Sequence, residues 1–89
     1  MATQHLRVLP DVVWRMLPDE VLALGPTSDE VTSIRGSGLA LWASLLDGAS
    51  TETLTGDAVR AGCPSDRAPR MVREVLDALA TAGLVEFTP

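Results

Sequence analysis

Eighty-nine residues, 46% of them apolar, suffice for one small domain with one core and leave no room for a second. Twelve Asp and Glu against seven basic residues, all seven of them arginine, give a net charge of −5, which argues against a general nucleic-acid binder because neutralising phosphates needs a basic surface or a strong basic stripe. One Cys (Cys63) and one His (His5) exclude an internal disulfide and supply no metal-ligand cluster, and no apolar run approaches the roughly 20 residues that span a bilayer.

The opening MATQHLRVL has no apolar signal core, so residues 1–9 are expected to be a flexible N-terminus and the cytoplasm the default location. A single domain then covers 10–89. Val12 to Met16 is β-rich, Leu17, Pro18 and Asp19 carry turn chemistry, and Val21 to Leu24 is a second apolar run, which together predict a hairpin. Gly25, Pro26, Thr27, Ser28 and Asp29 form the densest turn cluster. After it Glu30, Val31, Thr32, Ser33, Ile34 and Arg35 read as a third strand, short and polar enough to be a sheet edge.

Helical spacing takes over after Gly36. Ser37 is the expected N-cap of a first helix in which Leu39, Trp42, Leu45 and Leu46 recur at intervals of three and four, with Gly48 at its exit. Ser50 can cap a short second helix with Leu54, Ala58 and Ala61 on one face, ending at Gly62. The third helix is expected to be the longest, with Asp66 as N-cap, Pro69 in its first turn and Gly83 closing it. Ala68, Val72, Val75, Leu79 and Ala82 project onto one face of it, with Arg70, Arg73 and Asp77 opposite. Leu84, Val85, Glu86 and Phe87 form a short strand or an apolar tail. The fold class is α+β, a three-stranded antiparallel sheet followed by three helices, β-β-β-α-α-α.

No catalytic constellation appears, since Tyr and Lys are absent and Cys63 has no neighbouring His in sequence to activate it. Cys63 reads as a small hydrophobe in an interhelical turn, and Trp14 and Trp42 as packing residues rather than a stacking platform. The paired carboxylates Asp19–Glu20 and Asp29–Glu30 sit in turns, where local hydrogen bonding explains them. Arg67, Arg70 and Arg73 recur every three residues along the third helix. They make either a solvated face with local pairs such as Arg70–Glu74, or a set of guanidinium forks suited to carboxylates on an acidic partner. The edge strand from Glu30 to Arg35 has no Lys or Pro to block it, so its backbone can accept an added strand, with the long helix as the other wall of a groove. One flank of that helix carries Met71, Glu74, Val75 and Ala78, and the other Pro69, Arg73, Leu76 and Ala80.

The segment IRGSGLALWASLLDG, Ile34 to Gly48, resembles the PqqD-like proteins, also called RiPP recognition elements. In that family a leucine, asparagine, any residue, threonine, glycine pattern joins the third strand to the first helix. Here Ile34 stands at the leucine, Arg35 at the asparagine, Ser37 at the threonine and Gly38 at the glycine, followed by Trp42, Leu45, Leu46 and Gly48. Val72, Val75, Leu76, Leu79, Gly83, Leu84 and Val85 are similar to the family's closing helix and tail. Arg35 for Asn, and Met71 where many members carry an acidic residue, are the departures. The resemblance implies a winged-helix-like, non-catalytic domain without cofactor that binds the leader of a ribosomally made precursor peptide. The leader would lie as a strand along Glu30 to Arg35, facing the flank with Met71, Glu74, Val75 and Ala78, with Arg67 and Arg70 at the rim. Its partners would be that precursor and a modifying enzyme, a leader peptidase of the lasso-peptide kind or a radical enzyme. A winged-helix DNA-binding regulator and a plain protein–protein adaptor are the alternatives.

Overall fold

In the computed structural model, which describes residues 5–88, the chain runs β1 (His5–Val8), β2 (Val13–Met16), β3 (Val21–Leu24), β4 (Thr32–Ile34), α1 (Ser37–Asp47), β5 (Ala49–Ser50), α2 (Thr51–Arg60), α3 (Ala68–Thr81) and β6 (Val85–Thr88). The strands form two three-stranded antiparallel sheets, ordered β2-β3-β4 and β5-β1-β6. The class is α+β with three helices, but strands and helices interleave, so the simple β-β-β-α-α-α order is corrected.

The correction begins at the N-terminus. Residues 5–8, expected to be flexible, are the central strand of their sheet, with Leu6 fully buried between exposed His5 and Arg7, and Val8 buried after them. Residues 1–4 lie outside the described residues. Leu6 stands opposite Phe87 and Val8 opposite Val85, so the last strand closes on the first, and Arg7 Nε meets Glu86 Oε1 at 2.6 Å. The tail from Leu84 to Phe87 is therefore a strand from Val85 onward.

The other sheet follows the expected hairpin. Leu17 N donates to the Glu20 carbonyl at 2.8 Å across the Pro18–Asp19 tip, and Val21 and Ala23 of β3 point into the core. Its third strand is shorter than expected, Thr32–Ile34, because Glu30 N is held by Ser28 Oγ at 3.1 Å in the preceding turn. Val12 sits buried just before β2 rather than within it.

Helix ends depart from expectation where the backbone does the turning. Gly36, at φ 57°, is the N-cap of α1 and Ser37 is its first helical residue, making no side-chain cap. A left-handed residue swings the chain from β4 into the helix in one step, which glycine does without a Cβ penalty. Asp66 likewise does not cap α3. Arg67 is its N-cap, following a turn in which Arg67 N and Ala68 N both donate to the Pro64 carbonyl. Ser50 does cap α2, its hydroxyl accepting from Thr53 N at 3.1 Å.

The helices cover one core that contains Trp42, Leu41, Leu45, Leu54, Leu6, Leu84 and Val21. In α1 the buried face is Leu41, Trp42 and Leu45, while Leu39 is half-buried and Leu46 exposed. In α3 it is Ala68, Val72, Leu76 and Leu79, with Val75 and Ala82 only half-buried. The face is turned toward Leu76 because α2, with Leu54 and Ala58 buried, and β6 both pack against α3. No helix among the described residues is long and apolar enough to cross a membrane.

Candidate functional site

β4 is the edge of its sheet, with β3 on one side and no strand on the other among the described residues. Ile34 turns inward and is buried, Ser33 is exposed, and Thr32 is half-buried. The Ser33 hydroxyl donates to the Glu20 carboxylate, and Arg35 Nε reaches the same oxygen at 3.0 Å. The hydrogen bond from Ser33, and next the one from Arg35, hold the Glu20 carboxyl below its usual pKa. Glu20 thus fastens the side chains of β4 to the β2–β3 turn and leaves its outer edge uncovered. From sequence Glu20 is only a turn carboxylate explained by local hydrogen bonding, whereas its partners here are 13 and 15 residues away.

The wall facing β4 is built at Gly38. A Cβ on Gly38 would lie 2.9 Å from Ile34 Cγ2 and 3.7 Å from Val75 Cγ1, so the absent side chain is what lets β4, the first turn of α1 and α3 meet. One turn earlier on α3, half-buried Met71 lines a cavity of about 480 Å³ with Gly36, Ser37 and Ala40 from the start of α1 and Cys63 from the α2–α3 turn.

Of the twelve residues proposed to bind, Ile34 and Val75 are therefore brought together at Gly38, and Met71 lines the separate cavity between α1, α2 and α3. Thr32 and Ser33 form the free edge beside them. Arg35 is engaged by Glu20, Glu30 belongs to the turn before the strand, and Val31 is exposed between the two. Glu74 and Arg70 pair with each other at 3.5 Å on the solvent side of α3, and Arg67 and Ala78 are exposed there. Arg67 and Arg73 make no ion pair among the described residues.

A second cavity, about 680 Å³, lies on the other flank of α3, between α2, α3 and β6. Val72, Leu76, Pro69 and exposed Phe87 supply its apolar surface, and Glu52, Arg73 and Asp77 its charges. Its strand, β6, is also a sheet edge. Pro69, Arg73 and Leu76, from the second α3 flank named from sequence, line it, while the contribution of Phe87 and of α2 follows only from the fold.

Among the described residues no group of three or more His, Cys, Asp or Glu is placed to hold a metal ion. Cys63 is half-buried and free. Comparison of the chain with protein-family models, with curated proteins and with solved structures found no match.

Proposed function

We propose that this chain is a non-catalytic leader-peptide-binding protein of the PqqD-like, or RiPP recognition element, kind. It takes the leader of a ribosomally made precursor as an added strand on β4 and delivers the peptide to a separate modifying enzyme, such as a leader peptidase. The observation that carries this reading is the open edge of β4 beside a wall made by Ile34, Gly38 and Val75, with the Met71 cavity next to it. Main-chain pairing gives affinity to an extended peptide, and cavities reached by alternate side chains give selectivity. The run of three strands into α1 supports this reading, since the resemblance implies that order of elements there.

The cleft between β6 and α3 favours a second reading, in which the peptide pairs with β6 and anchors beside Phe87. The DNA-regulator reading is weaker, because the chain carries −5 and four of its seven arginines are already in ion pairs.

Fluorescence anisotropy with the labelled leader half of a precursor peptide encoded beside this chain, against duplex DNA across a salt series, tests the function. Leader binding with a shallow salt dependence supports it. Tight duplex binding with a steep log-log slope makes the chain a DNA regulator instead.

A further inference from the structure

β2 is the other edge of the β4 sheet, and its surface is unlike that of β4. Three of its four residues are large, apolar and exposed: Val13 at 70%, Trp14 at 40% and Met16 at 57%. Cross-strand register explains how. Val13 and Arg15 stand opposite Leu24 and Leu22 on the outer face, while Trp14 and Met16 stand opposite Ala23 and Val21, which are buried. Trp14 and Met16 thus point to the helical side yet stay open to solvent, so β2 overhangs the core. Trp14 meets the ring of buried Trp42 in a T-shaped contact, centroids 5.9 Å apart at 71°, and keeps 40% of its surface exposed.

Edges of this kind are usually blunted by Lys, Pro or an inward charge, and β2 carries only the outward Arg15. Trp, Met and Arg are the residue types enriched where proteins meet, and Val-Trp-Arg-Met contains all three. The charges around the strand indicate what covers it. Asp11, in the turn where Val12 N donates to the Leu9 carbonyl, and Arg15 are both exposed and make no ion pair among the described residues. They lie four positions apart with opposite signs, on either side of an apolar centre.

We infer that two copies of this chain pair through their β2 edges about a two-fold axis. Antiparallel self-pairing centred on Val13 sets Arg15 directly opposite Asp11 of the other copy; centred on Trp14, it sets them on the diagonal, about 7–8 Å between backbones and within reach of a guanidinium. Each dimer gains the contact twice. The apolar side chains of β2 are covered in the same step, and β4 at the far edge of the sheet stays open. The interface rests on a four-residue strand from each copy, well short of a standard-sized specific contact, so the association is weak and concentration-dependent.

Sedimentation across a concentration series reaching about 1 mM tests this, since a dissociation constant of that size is still readable there. The wild-type mass should rise from 9.4 kDa toward twice that value. Val13→Lys, Asp11→Arg and Arg15→Asp, all at exposed positions, should each weaken self-association by about tenfold or more. An equimolar mixture of Asp11→Arg and Arg15→Asp should recover it, because each protein then offers the other two opposite-sign contacts. A wild-type protein that stays monomeric throughout, or association indifferent to these variants, overturns the proposal. Leader binding can fail without changing this result, as it engages a different edge.

Discussion

Ile34 of β4 and Val75 of α3 both reach the space where Gly38 has no side chain, Ile34 Cγ2 to 2.9 Å and Val75 Cγ1 to 3.7 Å of an ideal Cβ. The juncture ties the proposed peptide-binding strand to the proposed facing helix through one methyl-sized gap. Gly38→Ala should improve helix propensity by about 1 kcal/mol yet force the stiff β-branched Ile34 aside at a cost of about 1–3 kcal/mol. The expected net effect in a denaturant melt is destabilisation with weakened leader binding. Ile34→Leu, which lacks a Cγ2, should relieve the clash in the double variant.

Glu20 links stability to acid. Its folded pKa is lowered by Ser33 and Arg35, so the stabilisation it adds is fully present above the ordinary carboxylate value and is lost as pH falls through the lowered one. Thermal melts of wild type and Glu20→Gln should therefore differ at neutral pH and converge in acid. A difference that persists unchanged at low pH would assign the effect to shape rather than charge.

Much of this architecture was legible in the chain. The β2–β3 hairpin, the order of the three helices and the Ser50 cap follow from turn chemistry and local periodicity, which act within a few residues. β1 was not legible, although Leu6 and Val8 alternate with His5 and Arg7, because four residues carry little pattern and the partners lie at Ala49–Ser50 and Val85–Thr88. The buried face of α1 was ambiguous for a different reason. With Leu39, Leu41, Trp42, Leu45 and Leu46 all apolar, projection alone does not choose Leu41 over Leu46, and the packing of α1 on β1 and α2 does. Glu20 was missed because only the pairing of Leu22 with Ser33 brings β4 beside the hairpin turn.

Ser33 separates backbone pairing from side-chain fastening. Ser33→Ala keeps the amide donor and should change leader affinity by no more than about threefold, whereas Ser33→Pro removes the donor and should abolish binding in a protein whose helical CD signal survives. Anisotropy titrations of both variants distinguish the two roles.

The two flanks of α3 make opposite demands. If the peptide faces β4, Met71→Asp should weaken leader binding by about 1–3 kcal/mol through lost apolar contact and a carboxylate in the half-buried cavity, while Arg73→Glu has little effect. If the β6 cleft holds the peptide, the order reverses. Isothermal titration of the two variants with one leader peptide reads the ranking directly.

Hydrogen–deuterium exchange of the full chain with and without the leader peptide tests strand addition on β4 most directly. Slowed exchange at Thr32–Ile34, accompanied by protection along α3 from Met71 to Val75, is the predicted result. Protection confined to Val85–Thr88 and the α2–α3 cleft, or no change at β4 under saturating peptide, would contradict it.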